Sequence, residues 1–226
     1  MTDYIYKNKV ESLIKYVDQI NLKHGATNII TDPSTQKVKE IEKRALASGL
    51  KLLRAKVRHL GTEENLEILK RIYEHLAPKI EMRYKTEVTD ILVENGFVKG
   101  IIVGDDNIYS SKVIVAPGRD GSKWLTTLSK KFNIPQTANQ VDIGVRVETN
   151  DELMEEINSN LYEGKFIYRT SVGTTVRTFC SNPSGHVVIE NHSGTMLANG
   201  HSYRDPKRGS KNTNFALLVS HEFREP

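Results

Sequence analysis

The chain has 226 residues, 38% of them hydrophobic and 27% charged, with a formal net charge of +4. That length holds one large domain or two small ones around a lean core, and no apolar run approaches the roughly 20 residues that span a bilayer. The opening Met1-Thr-Asp-Tyr-Ile-Tyr-Lys7 lacks the apolar centre of a secretory signal, and the single Cys180 excludes an internal disulfide and a multi-cysteine metal site. A cytoplasmic protein is expected.

A sequence pI of about 9.0 raises nucleic-acid binding as a question. Lys and Arg are interspersed with 28 acidic residues, and no block of five like charges occurs, so a solvated basic surface is the simpler reading. The seven histidines are scattered without an H-x-x-x-H pair, and no metal site is expected.

Along the chain, Ile5, Val10, Leu13, Ile14, Val17, Ile20 and Leu22 recur at a mostly helical period over residues 4–23. A second helix is predicted over residues 36–48 (Val38, Ile41, Ala45, Leu46), with Gly49 where a C-terminal cap belongs. Residues 50–57 are a short apolar stretch with strand character. An amphipathic helix follows through Leu66, Ile68, Leu69, Ile72, Tyr73 and Leu76, with Thr62 as its expected N-cap, Glu63 and Glu64 in the first turn, and Pro78 at its end.

Character then changes. Residues 79–84 read as a short strand, and a meander is predicted over residues 86–111, with its tightest turn at Asn95-Gly96. Residues 113–116, Val-Ile-Val-Ala, are a run suited to a strand covered on both faces, and Pro117-Gly118 stop it abruptly. In open α/β sheets ligands sit at such strand ends, although an ordinary strand-to-helix turn fits this segment equally well. A helix is predicted over residues 124–132. From Val141 onward the pattern is mainly β, with strands over 142–148, 165–168, 176–180, 186–190 and 215–219. A helix over 151–158 is capped by Asn150 or Asp151, and a loop-rich stretch occupies 200–212. The boundary between the two parts falls near residues 135–140, giving regions 1–138 and 139–226.

A meander followed by an apolar strand ending in Ala-x-Gly resembles the distal half of the FAD-binding domain of glutathione-reductase-type flavoproteins. The longer similarity is to a family of FAD-dependent dehydrogenases of undefined physiological substrate. It rests on His59-Leu-Gly-Thr62, Thr86-Glu-Val-Thr-Asp-Ile91, Val113-Ile-Val-Ala-Pro-Gly-Arg119, Asp142-Ile-Gly-Val-Arg-Val-Glu148, Arg177-Thr-Phe-Cys-Ser-Asn-Pro183, Asn199-Gly-His-Ser-Tyr203 and Asn212-Thr-Asn-Phe-Ala-Leu-Leu-Val219, in family order from about residue 50 onward. The family's opening G-x-G-x-x-G turn, which holds the FAD pyrophosphate, occurs nowhere in the 226 residues, and its closing Gly-Asp strand is missing too. The expected fold class is α/β (α+β): a partial Rossmann-like FAD-binding domain with a β-meander insertion, plus a β-rich substrate-type domain. An internal piece of a larger flavoprotein, or a reduced relative, is the corresponding expectation.

The resemblance implies roles residue by residue. Val88 would offer backbone hydrogen bonds to the adenine edge of FAD, and Ala116, Pro117 and Gly118 would pass beneath its ADP portion, where Cβ-free backbone permits close approach. Arg119 would stabilise phosphate or exit into solvent, and Gly61 and Thr62 would contact the cofactor or only shape the helix start. His59 would lie near the cofactor or serve as a hydrogen-bonded structural residue. Arg146, Arg177, Cys180, His201, Ser202 and Asn214 are candidates to line a substrate-facing cavity. Arg146 would fix a carboxylate or lie exposed, and Cys180 would be a reactive thiol or a small packed hydrophobe. The implied function is FAD-dependent oxidation or reduction of a small organic substrate, with NAD(P)H as a possible donor and a homodimer as a possible assembly. A non-catalytic binding module on the same scaffold is the alternative.

Overall fold

The computed structural model describes residues 6–192 and 194–222. The N-terminal extension of the first predicted helix, including Ile5, lies outside them, and α1 runs Lys7–Lys23. The following elements are α2 (Gln36–Ala47), β1 (Leu50–Leu53), α3 (Gly61–Leu76), β2 (Asp90–Glu94), β3 (Phe97–Val103), β4 (Asp106–Tyr109) and α4 (Ser122–Lys131). Then come β5 (Gln140–Asn150), α5 (Asp151–Asn160), β6 (Lys165–Arg169), β7 (Thr175–Asn182), β8 (His186–His192), β9 (Thr195–His201), a 3₁₀ turn (Pro206–Arg208) and β10 (Asn212–Glu222). The protein is an α+β fold.

Its largest sheet has the order β1-β6-β7-β10-β5, and every pairing in it is antiparallel. The edge strand β1 comes from far upstream and pairs with β6, Leu52 opposite Phe166. Leu52 thereby meets Val38 and Ile41 on the inner face of α2, and Leu161 at the end of α5 closes the cluster against Phe166. Val38 is fully buried, and Leu46 on the opposite side of α2 is 60% exposed, as one apolar stripe on a helical period requires. Thr35 caps α2 by accepting from the Val38 N–H at 3.3 Å. Asn150, one of the two expected caps, accepts from the Glu152 N–H at 2.9 Å and starts α5.

The meander forms a separate three-stranded sheet, β2-β3-β4. Asn95 and Gly96 take φ values of +51° and +81°, the left-handed pair a two-residue hairpin needs. Its first strand starts at Asp90 rather than Thr86.

Three sequence expectations are corrected. Residues 79–84 form turns and irregular chain, with Ile80 and Tyr84 exposed and no ladder to join. Residues 113–116 are extended but pair with no strand among the described residues. Half-buried Val113 and Val115 alternate there with exposed Ile114 and Ala116, and Ile114 is 94% exposed. Thr62 is not an N-cap: the helix starts one residue earlier, and its side chain caps nothing. Strand β9 was not anticipated, because Thr195-Met-Leu-Ala-Asn-Gly-His201 has no apolar alternation; it pairs with β8 along its whole length.

Among the described residues no helix is long and apolar enough to cross a membrane.

Candidate functional site

Two clefts meet at the turn that follows residues 113–116. The first, about 430 Å³, lies between the meander and the start of α4. Val88, Ile91, Ala116, Pro117 and Trp124 are among the residues that form its walls. Trp124 is fixed by donating its Nε1–H to the Thr89 carbonyl at 2.9 Å, and Lys131 at the far end of α4 pairs with Asp90. These contacts dock α4 on the meander. Backbone groups at the cleft are left free: the N–H and C=O of Val88, and those of residues 113–116, have no protein partner among the described residues. Unpaired main-chain groups at an accessible surface invite a ligand or an added strand to complete them.

Gly118 takes φ +68° with nothing within 4 Å of where a Cβ would stand, so its conformation rather than crowding calls for glycine. It lines the next hollow along α4, which Pro117 shares. Arg119 turns the other way, into the second cleft.

The second cleft, about 580 Å³, opens over the β5-β10-β7 face beside the β8-β9 hairpin. Its polar wall is a network around Arg146. Across the β7-β10 ladder the register slips between Asn214 and Ala216, a bulge that carries Cys180 at φ +48°. The slip frees the Cys180 carbonyl from the ladder. That carbonyl accepts from Arg146 Nη1 at 2.9 Å and from Asn182 Nδ2 at 2.7 Å. Asn214, fully buried, accepts at its Oδ1 from Arg146 Nη1 (3.1 Å) and Asn182 Nδ2 (3.3 Å). Asn199 accepts from Arg146 Nη2 at 3.0 Å and donates to Glu190 at 2.9 Å. His192 and then Asn199 hold the Glu190 carboxyl below its ordinary range. Gly200 packs so tightly on this network that a Cβ there would collide with Asn214 Oδ1.

A third group joins the start of α3 to the end of β9. Tyr162 Oη lies 2.9 Å from His59 Nε2 and 2.9 Å from Ser202 Oγ, and its ring stacks on His59 with centroids 4.0 Å apart. Thr62 donates its N–H to the Ser202 carbonyl at 3.3 Å, and its Oγ1 lies 3.3 Å from His201 Nδ1. Glu63 accepts the Arg204 N–H (2.9 Å) and the Asp205 N–H (3.0 Å). Burial pushes the Tyr162 phenol up to about 12 and the His59 imidazole below its usual value, so both stay neutral near pH 7.

The structure therefore sorts the predicted residues into three places. Val88, Ala116 and Pro117 share the first cleft, with Gly118 beside it. Arg119 and Arg146 share the second, where Asn214 and Cys180 hold Arg146. Gly61, Thr62, His201 and Ser202 gather at the α3–β9 junction, outside the lining of both clefts, and His59 is hydrogen-bonded to Tyr162 there. Arg177 pairs with Asp142 and stacks at 5.0 Å over Phe179, so its charge is already matched. Cys180 is half-buried; its carbonyl accepts from Arg146 and Asn182, and its Sγ lies 3.8 Å from Asn182 Nδ2.

Sequence reasoning missed Asn182, Asn199, Glu190, Tyr162 and Trp124. The two amides, Asn182 of β7 and Asn199 of β9, come from separate strands, and only the pairing register brings them to Arg146 and Asn214. Among the described residues no group of three or more His, Cys, Asp or Glu side chains is placed to hold a metal ion. No family model matches the chain, and no curated protein matches it.

Proposed function

We propose that this chain supplies the adenosine-binding part and the substrate-facing sheet of a cytoplasmic FAD-dependent oxidoreductase. The observation that carries the reading is Val88, whose free N–H and C=O stand at an apolar cleft also lined by Ala116, Pro117 and Trp124. One residue's backbone donor and acceptor match the acceptor and amino donor on the edge of an adenine ring, and flat apolar walls suit its faces. The cleft fits the adenosine end of FAD. The G-x-G-x-x-G turn that would hold a pyrophosphate does not occur in the 226 residues, so the reading gives this chain the adenosine end alone. When bound, FAD supplies the hydride or electron transfer, while the chain binds, orients and excludes water.

Trp124 is the chain's single tryptophan and lines the cleft, so its fluorescence reports occupancy. Titration with ADP and with FAD is expected to quench it, and Val88→Pro, which removes the N–H, to weaken both at least about tenfold, roughly 1.4 kcal/mol. The reading fails if neither nucleotide changes the signal, in this chain or in a longer one carrying a glycine-rich dinucleotide turn. A scaffold that binds no cofactor would then be the better description.

A further inference from the structure

We infer that the second cleft is a binding site for a small organic carboxylate with an apolar body, anchored by Arg146. A guanidinium has five N–H donors. In Arg146 three are taken, all by neutral acceptors: the Cys180 carbonyl, Asn214 Oδ1 and Asn199 Oδ1. The two remaining are on Nε and Nη2, the pair of nitrogens that forms the side-on fork for a carboxylate. Nε is buried and has no partner. A charged donor left so is costly unless something occupies its edge.

No carboxylate among the described residues lies within ion-pair distance of Arg146, although ion pairs are frequent elsewhere in the fold. The acids bordering the cleft are otherwise engaged: Asp142 by Arg177 and Ser220, Glu190 by His192 and Asn199. Arg119 adds a second positive group from the turn shared with the first cleft. Around this charge the walls are apolar, including Ile143, Val145, Phe179, Met196 and Leu218. Several of them are open to solvent: Val145 and Met196 are each 62% exposed. The neutral amides hold the guanidinium rigidly without discharging it, so orientation is fixed before a ligand arrives.

The inference deepens the flavoprotein reading by giving a substrate class, but its test needs no flavin. The probe is 3-phenylpropanoate, with its primary amide as the uncharged control. Calorimetric titration of the intact chain is expected to give a Kd of about 1 mM or tighter for the acid and at least about tenfold weaker binding for the amide. The Arg146 Nε–Hε proton resonance is expected to move downfield with the acid only. Arg146→Met should lose at least tenfold in acid affinity, while Arg44→Met, on α2 and paired with Glu156 outside the cleft, should retain it. Should Arg146→Met fail to fold, Ala198→Phe on the exposed hairpin face narrows the cleft without touching the network and should lose the same affinity. Equal binding of acid and amide, no binding of the acid up to about 10 mM, or full affinity in Ala198→Phe would each overturn the inference. Carboxylate binding without any Trp124 response to nucleotides would sink the flavoprotein reading and leave this site standing.

Discussion

The two clefts share one turn, and they leave opposite kinds of groups unsatisfied. In the first, side chains are settled and main chain is free: Trp124 is fixed on Thr89, while Val88 and residues 113–116 present bare N–H and C=O groups. In the second, β5, β7 and β10 are laddered to one another except at the Cys180 bulge, whose carbonyl is taken by Arg146 and Asn182, and the free donor is a side-chain charge. Backbone groups recognise what a strand edge or a base edge offers; a fork-shaped cation recognises planar anions. The difference predicts that side-chain changes at the first cleft cost less stability than changes within the Arg146 network of the second.

The sharpest test of that contrast is Asn214→Leu. It strips Arg146 and Asn182 of an acceptor in a fully buried position, and a loss of about 4 kcal/mol in urea unfolding is expected. Val115→Ala in the first cleft, at a half-buried and unladdered position, should lose less than about 1 kcal/mol. Comparable losses would break the comparison. Tyr162→Phe removes the hydroxyl that joins His59 to Ser202, and a loss of about 2 kcal/mol is expected by the same measurement. Next in size is Trp124→Phe, which keeps the apolar wall but frees the Thr89 carbonyl, for about 1 kcal/mol.

The smallest expected effect is a pH dependence at the foot of the large sheet. Burial pushes the Asp151 carboxyl up, but hydrogen bonds from the Ser184 hydroxyl, the Thr213 hydroxyl and the Ser184 N–H outweigh it, and the net shift is downward. A carboxyl lowered by folding stabilises above its unfolded value, about 3.9, and that contribution is lost as pH falls through the lower folded value. Wild type should therefore lose stability more steeply than Asp151→Asn as pH falls below about 4. Parallel acid limbs would show that Asp151 does not anchor this corner.

What the sequence made legible was local. Asn95-Gly96 announced its hairpin, the stripe of Val38, Ile41 and Ala45 its helix, and Asn150 its cap. Pairings between distant segments were not legible. Nothing near Leu50 says that its partner is Tyr168, and nothing near Asn199 says that it will reach Arg146. Thr62 misled because a hydroxyl next to a helix start has the composition of a cap; here a contact with Ser202, from another part of the chain, claims it. The run at 113–116 misled for a related reason: strand-forming residues make an extended segment, but a strand needs a neighbour, and composition cannot supply one.

That run has a consequence for handling the protein in solution. Val-Ile-Val-Ala is uncharged, β-prone and unpaired, with Ile114 almost wholly in water, the composition that seeds intermolecular cross-β pairing. It is bracketed by Lys112, which adds charge, and Pro117, which cannot donate to a ladder, the flanking arrangement that limits such growth at both ends. Neutralising the bracket with Lys112→Ala and Pro117→Ala should turn this segment into the chain's principal aggregation nucleus.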